Sequence, residues 1–222
     1  MALSIYQLKP AFQGLLRPSA AWLWRRGVTA NQVTLFACGI SVALGLALYA
    51  LPLSTVWFAL LPPWLFLRMA LNAVDGLLAR EFNQRSTLGA YLNELTDVVS
   101  DAALLLPFAK LAPFSPFWIG ALILVAALSE LAGVLGQTVG ASRRYDGPFG
   151  KSDRAFVFGA LALAVALWHS LPDWVAGVLP LAVALTIYTT INRVRAGLAE
   201  SRIESRVEAR LETRSESPES HT

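Results

Sequence analysis

The side chains that could do chemistry in this chain stand inside apolar sequence, where polar groups are least expected. Leu71-Asn72-Ala73-Val74-Asp75-Gly76-Leu77-Leu78-Ala79-Arg80 closes one apolar stretch, and Gly89, Asn93, Asp97 and Asp101 follow at steps of four in the next. Glu130 lies in a third. At about 100° per residue, Arg68, Asn72, Asp75, Gly76 and Ala79 share one helical face, and Gly89, Asn93, Asp97 and Ser100 share another. An ionised side chain deep in a bilayer costs on the order of 3 kcal/mol, so Asp75, Asp97, Asp101 and Glu130 would together cost roughly 10 kcal/mol without partners. A divalent cation would offset this cost, because magnesium and manganese prefer hard carboxylate and amide oxygens. Ion pairs with Arg68 or Arg80 would offset it too, and the residues alone leave both readings open. Gly76, Ala79 and Gly89 leave room either for a ligand to approach the backbone or for close helix packing.

The elements that must position these groups follow from composition. With 55% hydrophobic and 15% charged residues in 222, the chain needs lipid. A spanning helix takes roughly 20 apolar residues. Stretches near 33–51, 55–79, 88–108, 117–139, 155–171 and 174–191 meet that need and predict an all-α integral membrane protein of about six transmembrane helices. Basic residues cluster at the amino end (Lys9, Arg17, Arg25, Arg26), between the second and third spans (Arg80, Arg85), between the fourth and fifth (Arg143, Arg144, Lys151, Arg154) and after the sixth (Arg193, Arg195). The opposite loops hold only Lys110 and Asp173, so both termini are expected in the cytoplasm, as in a bacterial inner membrane.

Residues 1–31 mix Tyr6, Leu8, Phe12, Leu15, Leu16, Trp22, Leu23 and Trp24 with basic positions and predict an amphipathic helix in the headgroup region. The alternative is a disordered leader. Residues 32–192 form the membrane domain, and 193–222, alternating Arg and Glu before a Ser-, Pro- and Glu-containing end, form a charged cytoplasmic tail. Cys38 lies alone in the first apolar stretch, which excludes a disulfide framework and a cysteine-rich metal site.

The segment from Asn72 to Asp97 resembles the signature of the CDP-alcohol phosphatidyltransferases, D-x2-D-G-x2-A-R-x8-G-x3-D-x3-D. This chain reads N-x2-D-G-x2-A-R-x8-G-x3-N-x3-D, with the spacing kept throughout and asparagine at two of the four acidic positions. Val28-Thr29-Ala30-Asn31-Gln32-Val33-Thr34 is similar to the T-P-N-x-L-T motif before the family's first span, and Gly150-Lys151-Ser152-Asp153-Arg154 to the G-K loop before its fifth.

The resemblance implies a six-helix fold with a cytoplasm-facing polar cavity, where Mg2+ or Mn2+ holds the diphosphate of a CDP-linked lipid such as CDP-diacylglycerol. Asn72, Asp75, Asn93 and Asp97 fall on its metal-ligand positions, and Asp101, one turn on, could restore lost charge. Asp97 would be the catalytic base, taking the acceptor proton as the hydroxyl attacks and CMP leaves. Gly76, Ala79, Arg80 and Gly89 match donor-nucleotide positions, and Lys151 and Arg154 would assist the phosphates or an anionic acceptor. Glycerol 3-phosphate suits the cations Arg143, Arg144, Lys151 and Arg154, and a homodimer is a family trait. The competing expectations are a degenerate relative that binds lipid or a partner, a small transporter with proton- or cation-binding carboxylates, and a prenyltransferase, which would need two aspartate-rich motifs and more helices.

Overall fold

A computed structural model of the chain describes residues 5–52 and 54–215, and among these there are seven α-helices and no strand. The helices are α1 (Ile5–Arg25), α2 (Ala30–Ala50), α3 (Leu61–Glu81), α4 (Thr87–Leu105), α5 (Pro116–Leu135), α6 (Lys151–Trp168) and α7 (Val178–Ser215). Short 3-10 turns at Thr55–Leu60, Leu106–Lys110, Gly136–Val139 and Asp173–Gly177 extend or link them. This is an all-α membrane protein in which four segments are long and apolar enough to cross a bilayer: Ala30–Ala50, Thr55–Glu81, Pro116–Val139 and Asp173–Ile203. The stretches expected to be the third and fifth spans are also helical, as α4 and α6. Glu94, Asp97 and Asp101 on the one, and Lys151, Asp153 and Arg154 at the start of the other, set them apart from the apolar four.

Helix starts follow their capping chemistry. The Thr29 hydroxyl accepts from the Gln32 amide at 3.2 Å while the Gln32 side chain accepts from the Thr29 amide at 2.9 Å, which opens α2. The Ser86 hydroxyl accepts from the Gly89 amide at 2.9 Å and opens α4. The Asp153 carboxylate reaches back to the Gly150 amide at 2.8 Å, which fixes the first turn of α6. Lys151 and Arg154, three residues apart, consequently share a face.

Two apolar clusters clamp the bundle. One centres on Phe108, which meets Phe58, Phe114 and Phe158 edge-to-face at 5.1–6.1 Å between ring centroids. The other joins Ala20 of α1, Ala30 and Val33 of α2, and Val74, Leu77 and Leu78 of α3. From Ile5 the amino-terminal segment is therefore a docked helix, with Leu15, Trp22 and Trp24 turned outward. Residues 1–4 and the end of the expected tail, 216–222, lie outside the described residues. The first part of the tail is helical, because α7 runs unbroken from the sixth apolar stretch through Arg193 to Ser215. The alternating Arg and Glu residues favour helix as strongly as the apolar ones before them.

Candidate active site

The two polar faces meet. The Asn72 side-chain amide of α3 donates to Oδ1 of Asp97 on α4 at 3.2 Å. Arg68, one turn before Asn72 and 3% exposed, donates to Asp101 Oδ1 at 2.5 Å and to the Asp97 carbonyl and carboxylate at 3.2 and 3.3 Å. The Lys151 ammonium pairs with the same Asp97 oxygen. Asp97 is thus the point where α3, α4 and α6 converge. Of the two ion-pairing arginines considered above, Arg68 makes the contacts. Arg80 makes no ion pair among the described residues, and its guanidinium lies over Gly76, where a Cβ would come within 3.1–3.2 Å of it.

Asp75 is buried and accepts from the Thr34 hydroxyl at 2.7 Å. Thr34 is the last residue of the Val28–Thr34 motif and lies in the first turns of α2, so that motif supports a signature carboxylate directly. Gly89 is packed beneath the same segment, since a Cβ there would fall 2.8 Å from Asn31 Oδ1. The Asn93 amide points to Glu94 Oε1 at 3.3 Å. Asp101 spends both oxygens on guanidinium groups, Oδ1 on Arg68 and Oδ2 on Arg154 at 3.1 Å.

Beyond Asp101 the network becomes cationic. Glu130 of α5 is 8% exposed and faces Arg154 at 3.3 Å, Arg193 of α7 at 3.3 Å and Arg143 at 3.7 Å. Arg143 pairs more tightly with Glu94 at 2.6 Å, and Arg193 donates to the Ser129 carbonyl at 2.6 Å. The loop carrying Arg143 is held by Arg144, whose amide donates to the Gly133 carbonyl at 3.0 Å. The loop closes at Gly147, whose φ of 128° belongs to glycine and whose α-carbon sits so near Thr189 that any side chain would collide with it. Arg144 itself turns away from the site toward Asp146 at 2.8 Å and Glu200 at 2.5 Å. It holds Asp146 below the usual carboxylate range through their hydrogen bonds.

Sequence reasoning left Glu130 unplaced and gave Arg193 only a topological role. No short-range spacing links residues 101, 130, 143, 154 and 193, so only the packed bundle reveals that they converge.

The donor set fits a divalent ion of the magnesium and manganese class in kind, because the α3 and α4 faces offer only oxygen ligands. No group of three or more His, Cys, Asp or Glu among the described residues is arranged to hold a metal. An ion between Asp75 and Asp97 would consequently draw on the amide carbonyls of Asn72 and Asn93 as well.

Comparisons with known proteins give the family and the fold of the chain. The family model for CDP-alcohol phosphatidyltransferase matches residues 27–190. The chain is 47% identical over 199 residues to the inner membrane protein YnbA of Escherichia coli (strain K12), covering 90% of this chain and 98% of that one. It is 27% identical over 178 residues to the phosphatidylinositol phosphate synthase of Mycobacterium tuberculosis (strain ATCC 25618 / H37Rv), covering 72% and 80%. The crystal structure of a Mycobacterium tuberculosis phosphatidylinositol phosphate synthase with CDP-DAG bound has the same fold, with a TM-score of 0.64 at 20% identity over 81% of this chain and 92% of that one. A second structure of that synthase, with manganese and citrate, aligns with the same TM-score of 0.64.

Proposed function

The chain belongs to the CDP-alcohol phosphatidyltransferase family, and from that membership we propose which side chains carry the transfer and which alcohol receives it. It is an integral inner-membrane enzyme of phospholipid biosynthesis that moves a phosphatidyl group from a CDP-linked lipid, with divalent metal of the magnesium and manganese class. The proposed architecture is six spans within 32–192, both termini in the cytoplasm, α1 lying in the headgroup layer and residues 193–222 as a cytoplasmic extension. Outward-facing Leu15, Trp22 and Trp24 support the interfacial placement.

The observation that carries the assignment of roles is the convergence of Asn72, Arg68 and Lys151 on Asp97. Asp75 and Asp97, with Asn72 and Asn93, would hold the metal, which supplies charge neutralisation at the donor diphosphate. Asp101 would contribute charge rather than a free ligand atom, because both its oxygens are engaged. Gly76, Ala79 and Gly89 stand on the face proposed for the donor nucleotide, where the small residues let Arg80 lie over Gly76 and Asn31 close over Gly89, and Arg80 would reach the nucleotide's phosphates. Asp97 takes the proton of the acceptor hydroxyl as that oxygen bonds to the phosphorus nearest the lipid. The bond from that phosphorus to the CMP oxygen breaks, and CMP leaves. Lys151 passes from Asp97 to the donor phosphates, and Arg143, Arg154 and Arg193 receive an anionic acceptor such as glycerol 3-phosphate. The enzyme is proposed to work as a homodimer.

Incubating the purified chain with CDP-diacylglycerol and a panel of alcohols, with and without chelator, tests this reading. The expected result is metal-dependent CMP release with glycerol 3-phosphate. Silence with every acceptor would favour a degenerate, ligand-binding relative, in keeping with the asparagines at 72 and 93.

A further inference from the structure

We propose that Glu130 determines the charge of the acceptor this enzyme takes, by acting as a built-in anion within the guanidinium cluster of Arg143, Arg154 and Arg193. The inference rests on the reading that this cluster receives the acceptor.

The cluster has more donor capacity than the protein uses. Nε of Arg143, Nε and Nη1 of Arg154 and Nε of Arg193 are buried with no hydrogen-bond partner among the described residues, and Arg154 and Arg193 are each 3% exposed. Buried N–H groups without acceptors are costly, so a site that retains several of them is built for an additional anion. Phosphate oxygens match guanidinium donors in charge and geometry.

Glu130 already stands where such an anion would dock, and its hold is loose. Its contacts are 3.3, 3.3 and 3.7 Å, against 2.6 Å for Arg143 with Glu94 and 2.6 Å for Arg193 with the Ser129 carbonyl. Charge-assisted bonds at full strength run about 2.7–2.9 Å. Glu130 is shared among three cations and tightly bonded to none of them. Its charge therefore partly neutralises the cluster and repels an incoming phosphate, while its looseness lets it yield without dismantling the arginines. A neutral acceptor hydroxyl suffers no such repulsion. Glu130 is a specificity-determining residue, and its replacement by the neutral isostere shifts preference toward phosphorylated acceptors.

The test titrates inorganic phosphate calorimetrically into the full chain in lipid nanodiscs. Glu130→Gln is expected to bind phosphate about tenfold more tightly than the parent, and to show a lower thermal unfolding midpoint that added phosphate raises again, because the buried Arg154 and Arg193 lose a counter-charge. Glu130→Asp, which keeps the charge but withdraws it by one methylene, is expected to bind about two- to threefold more tightly. Equal or weaker binding in a folded Gln variant overturns the inference. If that variant does not fold, unchanged or weaker binding in the Asp variant overturns it.

Competition by glycerol 3-phosphate would assign the site to a soluble phosphate monoester, and competition by phosphatidic acid in the nanodisc to a lipid phosphate. Either result supports Glu130 as the internal rival. In turnover, the kcat/KM ratio of glycerol 3-phosphate over glycerol should rise about tenfold in the Gln variant. Tighter phosphate binding with turnover of neither acceptor would leave Glu130's role standing and remove the acceptor reading alone.

Discussion

The polar interior has two ends of opposite character. Around Asp97, the α3 and α4 faces bring carboxylates and amides together, with Arg68 and Lys151 as the cations in contact. Around Glu130, arginines from α6, α7 and the loop between α5 and α6 surround a single carboxylate. Arg154 links the ends by touching both Asp101 and Glu130. The proposed transfer would use this asymmetry, with oxygen ligands for a metal and a base on one side and donors for anionic oxygens on the other. One continuous charge network supplies both, so neither end is buried without compensation.

The largest expected effect comes from breaking the carboxylate end at its cation. Arg68→Met removes the buried guanidinium that holds Asp101 and Asp97. Leaving buried charges unpaired costs about 3–5 kcal/mol, and the lower figure applies because Arg154 and Lys151 remain. The midpoint of thermal inactivation in detergent should fall markedly, whereas an unchanged midpoint would mean that Arg68 is a substrate-facing group and not a structural one.

The second break is chemical. Asp97→Asn keeps size and one oxygen ligand but removes charge and basicity, so turnover should drop at least about 100-fold, the usual cost of a lost general base. Binding of the CDP moiety should fall less, because Arg80 and Gly76 are untouched. Full activity in Asp97→Asn would mean that the signature has been read in the wrong register and would move the base role to Asp101. Restoring Asp at 72 and 93 should conversely make Asp101→Asn less harmful, through coupling in a shared site.

The two ends also differ in how far the sequence revealed them. The α3 and α4 faces were legible because the helix period turns spacings of three and four into a shared surface, and the loop from Phe82 to Ser86 brings those surfaces together. Asn72 of the one face accordingly meets Asp97 of the other. The Thr34 contact to Asp75 and the Glu130 cluster were not legible, since they join residues of different helices and loops that no helical period relates and that only packing brings together. The spans were readable most plainly where the sequence is apolar, because the charged residues of α4 and α6 depart from the membrane-helix pattern.

The smallest expected effect concerns the loop that delivers Arg143 to the cationic end. Asp146 holds Arg144 through bonds of 2.8 and 2.9 Å, and the Arg144 amide ties the loop to Gly133. Asp146→Asn should weaken that tether and raise the acceptor KM by at most about threefold, since a partly exposed pair is screened by water and salt. The Arg144 bonds depress the Asp146 pKa in the folded protein. Its stabilising contribution is therefore fully present above the unfolded value near 3.9 and is lost as pH falls through the lower folded value. Between pH 5 and 8 the variant and parent should accordingly differ by a constant factor, and below about pH 4 the difference should shrink as the parent's carboxylate protonates. Hydrogen exchange of the 140–150 loop across that range measures the convergence. A difference that grows on acidification would mean that Asp146 restrains the loop through something other than its charge, and that Arg143 is delivered to Glu130 by backbone contacts alone.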